Sequence, residues 1–270
     1  MMLLVASVAG AASAAAAPKV VSINACTDQL LLTLADPDQI LGLSPYARDA
    51  DRSFLAAEAA RFPQLSGEAE EVLMLKPDIV VGGRYTKRAT RELLKQMGQR
   101  VAEFDSVKTI DEAKAQIRQM ADLLGHPERA GAAIARIDAA VTRAKQAASH
   151  TRLTVLPLAR RGWVSGRDSL INALLDTVGL GNAASGLGLQ RGGFASLEAV
   201  VALRPDFLLI SEDSDFAEDE GRAFVLHPAL QRFYPPSKRI TVPERLTVCG
   251  GPMLADALDR LTEELIRVER

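Results

Sequence analysis

Short apolar runs alternate with helix-like periods along most of the chain. Five runs are rich in Val, Ile and Leu, which is typical of buried parallel strands; they lie at 20–23, 40–43, 101–104, 153–158 and 239–242. The intervening spacing predicts helices at 28–35, 90–97, 169–178 and from 253 onward. Alternating strands and helices predict an α/β fold.

A further apolar run occurs twice, as part of a duplicated segment. Residues 70–81 and 198–209 align without a gap, with Glu on Glu, Val on Val, Leu on Leu, a basic residue on a basic residue and Pro-Asp on Pro-Asp. In each copy a short helix ends where proline prevents its continuation, and the run after Pro-Asp predicts a parallel strand. The duplication predicts two similar lobes with a ligand cleft between them.

Between the lobes the period changes to that of long amphipathic helices. Apolar residues recur at three- and four-residue spacing at Ile110, Ala113, Ile117, Met120 and Leu124. Gly125 ends this helix, and Pro127 starts another that continues to about residue 149 and is about 34 Å long, enough to run along both lobes. We therefore expect an N-terminal lobe over 18–108, a helical connector including the bridging helix over 109–150, and a C-terminal lobe over 151–270.

The first seventeen residues are apolar or small and end in an Ala-rich run. This pattern predicts a signal peptide over residues 1–17, although Lys and Arg are missing from its start, and its apolar part is too short to span a bilayer. We expect a protein of the Gram-negative periplasm that begins near Pro18.

Composition and motifs exclude several classes of function. A net charge of −2, a pI near 6.0 and the lack of a basic cluster argue against nucleic acid as a partner. The sequence contains no G-x-S-x-G, Walker A, H-E-x-x-H or paired C-x-x-C motif, so we expect no enzyme and no cofactor. The three histidines sit at predicted helix ends or turns, which predicts no metal site. The glycines between 179 and 188 follow a predicted helix, so we interpret them as helix-terminating residues.

Two pairs of residues have more than one interpretation. Cys26 and Cys249 could form a disulfide in an oxidising compartment, or each could be a small buried apolar residue. Glu70 and Glu198 occupy matching positions in the duplicated segment. Either the helix macrodipole favours them in a first turn, or they form an equivalent pair that faces a partner with two basic pockets.

Several segments together resemble the substrate-binding proteins of ABC importers for vitamin B12, ferric siderophores and haem. They are residues 20–28, the turn Leu41-Gly42-Leu43-Ser44 before Tyr46, the two Leu-x-Pro-Asp copies, the long connecting helix and residues 163–182. The resemblance implies two Rossmann-like lobes joined by a single long helix, with the ligand between them. It also implies a monomer that docks on a permease dimer of the inner membrane through Glu70 and Glu198, with Glu68 and Glu71 close enough to share this role.

The resemblance places the ligand at the loops that follow the strands. We expect ligand contacts from Asn24, Cys26, Thr27, Tyr46, Arg48, Arg84, Tyr85, Arg161, Trp163, Arg191, Phe194, Arg245 and Cys249. The aromatic residues suit a large planar or macrocyclic metal chelate, and the arginines suit anionic groups on it. A cobalamin-type corrinoid is our first expectation. The alternative is a ferric siderophore or haem, with Tyr46 or Tyr85 as an iron ligand.

Two rival functions come from other classes. One is an α/β enzyme that uses Asp28, Glu212 or Asp213, but the sequence pairs none of them with a nucleophile. The other is an adaptor that binds only membrane partners.

Overall fold

The computed structural model describes residues 17–85, 87–148, 153–211 and 220–268. The strands are β1 Val20–Ser22, β2 Ile40–Gly42, β3 Ile79–Gly83, β4 Val101–Phe104, β5 Thr154–Pro157, β6 Trp163–Val164, β7 Gly181–Asn182, β8 Gly193–Phe194, β9 Phe207–Ile210 and β10 Arg239–Thr241. The α-helices are α1 Ala25–Leu34, α2 Ala56–Ala59, α3 Ala69–Met74, α4 Arg88–Gln96, α5 Ile110–Leu124, α6 Pro127–Ala147, α7 Leu170–Thr177, α8 Leu197–Leu203, α9 Glu220–Val225, α10 Pro228–Phe233 and α11 Leu254–Val268.

Two parallel four-stranded sheets have the same strand order. The first runs β2-β1-β3-β4 and the second runs β7-β5-β9-β10, so each strand of the first lobe has a counterpart in the second. A separate antiparallel pair, β6 with β8, belongs to the second lobe. The predicted α/β fold with two similar lobes is confirmed.

The duplicated segment folds in the same way in both lobes. Lys76 and Arg204 follow the duplicated helices in the left-handed region, with φ of 47° and 53°. The carboxylate of Asp78 then accepts a hydrogen bond from the N–H of Lys19 at 2.7 Å, and that of Asp206 accepts one from the N–H of Thr154 at 2.7 Å. Each Pro-Asp turn therefore anchors the start of the neighbouring central strand.

The long connecting helix is present, and the lobes share a core through it. Helix α5 begins with a capping box between Thr109 and Glu112 and ends at Gly125, whose φ is 81°. Helix α6, with proline at its first position, is 21 residues and therefore about 32 Å long. It packs against α5 and α11. One buried cluster includes Leu31 of the first lobe, Ile137 of α6 and Leu258 of the second lobe.

Two helices begin earlier than predicted. Helix α1, expected from residue 28, begins at Ala25, because the side chain of Asn24 caps it by accepting from the N–H groups of Cys26 and Thr27 at 2.9 and 3.3 Å. Helix α4 begins at Arg88, two residues before its predicted start. Residues 212–219, which include Glu212 and Asp213, and residues 1–16 of the predicted signal peptide lie outside the described residues. Within the described ranges, no helix is both long and apolar enough to cross a bilayer.

Candidate ligand-binding site

Two adjoining cavities lie at the carboxyl ends of the parallel strands. The first, which we call the C-lobe cavity, has a volume of about 430 Å³, and all the described residues that line it belong to the second lobe. Its lining residues are Pro157, Leu158, Ala159, Arg160, Trp163, Ser165, Ile171, Leu209, Ile210, Ser211, Val225, Val242, Glu244, Thr247 and Val248. Most of these side chains are apolar, and the volume is in the range of small-molecule sites.

The second cavity, which we call the interlobe cavity, has a volume of about 140 Å³ and is lined by both lobes. The first lobe and the start of the connector supply Asn24, Cys26, Thr27, Leu30, Gly83, Arg84, Tyr85, Phe104, Asp105, Ser106, Val107 and Gln116, and the second lobe supplies Leu170, Thr247, Val248, Cys249 and Gly250. Thr247 and Val248 line both cavities. The carboxyl ends of β3 and β4 thus open onto the same region as those of β5 and β9, the usual ligand site of open α/β sheets.

The structure brings about half of the predicted contact residues to these cavities. Asn24, Cys26, Thr27, Arg84, Tyr85 and Cys249 line the interlobe cavity, and Trp163 lines the C-lobe cavity. The residues that line neither cavity are Tyr46, Arg48, Arg161, Arg191, Phe194 and Arg245. Arg48 instead donates to the carbonyl oxygens of Phe62 and Ala60, at 2.6 and 3.4 Å, and so fixes a surface loop of the first lobe.

The turn that carries Tyr85 is held at three points around Arg84. The N–H of Arg84 donates to the carbonyl of Phe104 at 2.8 Å, and its guanidinium pairs with Asp105 at 3.1 Å. Its carbonyl accepts a hydrogen bond from the buried guanidinium of Arg91, which also pairs with Glu103. Tyr85 itself is 76% exposed, so its ring is available to a ligand on a fixed backbone.

Trp163 is held by the β6–β8 pair. Its ring meets that of Phe194 edge to face, with centroids 5.1 Å apart. The preceding residue, Gly162, has φ of 78°, and a Cβ there would lie 2.5 Å from the carbonyl oxygen of Ala195. The two residues are 40% and 67% exposed, so this pair forms an aromatic rim beside the C-lobe cavity.

A buried carboxylate lies beneath the first-lobe loops. Asp28, in the first turn of α1, is fully buried, and this burial raises its pKa from 3.8 to about 6 even though hydrogen bonds from Ser22 and Ser44 oppose the shift. Its hydrogen bonds to the N–H and hydroxyl of Ser44 anchor the loop that follows β2.

Cys26 and Cys249 form a disulfide, which settles the question that the sequence leaves open. The S–S distance is 2.07 Å and the Cα atoms are 5.2 Å apart. Within the described residues, no group of three or more His, Cys, Asp or Glu side chains is arranged to hold a metal ion.

Glu70 and Glu198 are exposed at equivalent positions, the second residues of α3 and α8. The pKa of Glu198 is lowered by its own backbone N–H, by the Ser196 hydroxyl and by the charge of His227. The neighbours of Glu70 are already engaged. Glu68 pairs with Lys87 at 2.7 Å, and Glu71 accepts from the N–H and hydroxyl of Ser66 at 2.7 and 2.6 Å.

Sequence reasoning missed several lining residues, notably Arg160, Leu170, Thr247 and Val248. Arg160 is adjacent to the predicted Arg161, and Thr247 and Val248 immediately precede the predicted Cys249. The loops were therefore identifiable from the strand ends, whereas the individual side chains that face the cavities depend on the 3-10 turns at Arg160–Gly162 and Glu244–Leu246.

Comparisons with known proteins agree with this architecture. The haem-binding protein RhuT of Roseiflexus sp. RS-1 superposes with a TM-score of 0.76 at 22% identity, covering 94% of this chain and 100% of that one. The vitamin B12-binding protein BtuF of Vibrio cholerae gives 0.72 at 17% identity, covering 94% and 98%. A periplasmic haem-binding protein from Pseudomonas aeruginosa gives 0.70 at 23% identity, covering 91% of each chain.

These TM-scores establish a shared fold. No curated protein sequence matches the chain significantly. Residues 20–235, which contain both lobes' central strands and the connector, match the family described as periplasmic binding protein. The chain therefore belongs to the periplasmic binding protein family.

Proposed function

We propose that the chain is the substrate-binding protein of an ABC importer, and that it captures a flat metal tetrapyrrole in the periplasm for delivery to the permease. Proteins of its family work with such permeases and bind small molecules. The solved structures that it resembles are described as binding haem or vitamin B12. No catalytic step is part of the proposal.

The observation that carries the proposal is the composition of the shared cleft. An apolar cavity with an aromatic rim at Trp163 adjoins a smaller cavity that both lobes line. A macrocycle has two large apolar faces and a polar edge. The apolar wall suits one face, while Arg84 and Arg160, which line the interlobe and C-lobe cavities, suit acidic substituents at the edge.

The placement of Tyr85 favours haem over the corrinoid that the sequence first suggested. Its phenol lies at the interlobe cavity on a turn fixed through Arg84, and tyrosinate is a known ligand of haem iron. Tyr46, the other candidate for this role, lines neither cavity. A corrinoid is the second candidate, since the structure also resembles the B12-binding protein of Vibrio cholerae.

The test is a titration of the protein from Pro18 onward with haemin and, separately, with cyanocobalamin. Trp163 is the only tryptophan in the sequence and lines the C-lobe cavity, so quenching of its emission reports binding there. We expect tight haemin binding, with an absorption spectrum that changes in Tyr85→Phe and stays unchanged in the matched variant Tyr46→Phe. Binding of cyanocobalamin alone would support the second candidate, and binding of neither probe would refute the proposal.

A further inference from the structure

The Cys26–Cys249 disulfide joins the two lobes inside the cleft wall. Cys26 lies in the first turn of α1 in the first lobe, and Cys249 lies 223 residues later, before α11 of the second lobe. Both cysteines line the interlobe cavity, and Cys249 is buried. The bond is thus a link between the lobes and part of the wall that a ligand would meet.

The two residues before Cys249 form the wall that the cavities share. Thr247 and Val248 line both cavities, and their N–H groups both donate to the carbonyl of Glu244 at 2.9 Å. The carbonyl oxygen of Val248 lies 3.9 Å from the Sγ of Cys26. The position of this wall segment, residues 247–248, is therefore set from the second lobe by a local turn and from the first lobe by the disulfide.

The non-covalent contacts between the lobes at this place are weaker. Gly250 lies against Val107, close enough that a Cβ on the glycine would come within 2.5 Å of the valine side chain. Lys108 pairs with Asp168 across the lobes at 2.6 Å, but both side chains are about half exposed, so water and salt screen the pair. The disulfide is the strongest link on the cleft side, and α6 with its shared core is the link behind it.

We propose that the disulfide positions the ligand-binding wall: by joining Cys26 to Cys249 it holds residues 247–248 and the two lobes at a fixed separation, so that the cleft is organised before ligand arrives. The effect on affinity rests on the proposed function, which supplies the ligand. The claim that the disulfide fixes residues 247–248 can be tested without a ligand. Preorganisation raises affinity because less conformational entropy is lost on binding. A cleft linked both by α6 and by a disulfide also leaves little room for a hinge motion.

The first arm of the test measures affinity with and without the bond. Haemin and cyanocobalamin are each titrated against three forms of the protein: oxidised, reduced and reoxidised. The reduced form is prepared with a phosphine, which is then removed under anaerobic conditions. For whichever probe binds, we expect reduction to lower the affinity by about tenfold, mainly through faster dissociation, and reoxidation to restore the affinity. The double variant Cys26→Ser/Cys249→Ser should match the reduced form and not respond to the phosphine.

The control variant for this arm is Lys108→Ala. It removes the exposed ion pair with Asp168 but keeps the disulfide, so its affinity should stay within about twofold of the unmodified protein. Equal affinity in the oxidised and reduced forms, even with a lower melting temperature after reduction, would overturn the positioning role.

The second arm needs no ligand. Amide hydrogen exchange should become faster over residues 244–251 on reduction, while α6 keeps its protection. If neither probe binds any form, the proposed function fails, and hydrogen exchange alone tests whether the disulfide fixes residues 247–248. Unchanged exchange over 244–251 would overturn it.

Discussion

Ser44 donates two hydrogen bonds to the buried carboxylate of Asp28, from its N–H at 3.1 Å and from its hydroxyl at 2.5 Å. The same hydroxyl accepts from the N–H of Tyr46 at 3.2 Å. Because Asp28 lies in the first turn of α1, the pair joins the loop after β2 to the helix that begins at the cleft. A buried titratable group therefore sets the position of this loop.

The first prediction concerns pH. Burial raises the pKa of Asp28 from 3.8 to about 6, so the folded protein binds this proton more tightly than the unfolded chain does. The contribution of Asp28 to the free energy of unfolding should be greatest below about pH 4, fall as the pH rises to about 6 and then level off. At about 1.4 kcal/mol per pKa unit, the change is on the order of 3 kcal/mol.

The variant Asp28→Asn isolates this contribution. An amide can still accept from the N–H of Ser44 and donate to its hydroxyl, but it does not titrate. We expect the variant to gain stability relative to the unmodified protein between pH 4 and pH 7, measured by urea unfolding at several pH values. The exposed residue Asp122, changed to Asn, is the control. A difference between Asp28→Asn and the unmodified protein that does not vary with pH would contradict the prediction.

The secondary structure and the two-lobed fold could be predicted wherever a sequence pattern repeats. The strand runs, the duplicated Pro-Asp segment and the Thr109–Gly125 helix are local signals, and tertiary packing did not override them. Asn24 shows where a local signal was misread. Helix α1 was expected to begin at residue 28, but Asn24 is its N-cap and the helix begins at Ala25. Arg48 shows the limit for the site, because only the folded loop reveals that its guanidinium is bound to the carbonyl of Phe62.

The second prediction tests the equivalence of the lobes. Asp78 and Asp206 each accept a backbone N–H bond at the start of a central strand, and Asp206 also accepts from the hydroxyl of Thr154 at 2.8 Å. Changing either to Ala should lower the free energy of unfolding by about 1 to 3 kcal/mol, with the larger loss at Asp206. Asn variants, which keep an acceptor oxygen, should lose less. Chemical denaturation gives the free energy of unfolding of the two Ala and two Asn variants. An unchanged free energy in either Ala variant would argue against a shared anchoring role.

The third prediction concerns the turn that presents Tyr85. The buried guanidinium of Arg91 donates to the carbonyl of Arg84 and pairs with Glu103. Glu103 also pairs with Lys95 at 2.7 Å, so it would keep a cationic partner if Arg91 were replaced. Arg91→Met should therefore cost about 1 to 3 kcal/mol of stability and speed amide exchange at residues 84 and 85. Arg88→Met, at the exposed start of the same helix, is the matched control. If the turn exchanges at the same rate in both variants, Arg91 does not fix it.

The last prediction concerns docking on the permease. Glu70 and Glu198 project from equivalent first turns, while Glu68 and Glu71 are already held by Lys87 and Ser66. Glu70→Arg/Glu198→Arg should abolish transport with the cognate permease in vesicles and leave ligand affinity within about twofold, because a reversed charge opposes basic pockets on the partner without touching the cleft. Each single variant should retain part of the activity if both lobes dock.

Glu263→Arg, on the exposed side of α11, controls for the added charge and should transport normally. The double variant loses favourable macrodipole interactions of about 0.3 to 1 kcal/mol at each helix, so its melting temperature is measured alongside transport. Full transport by a folded double variant would mean that another surface meets the permease, and that the two glutamates serve only the starts of their helices.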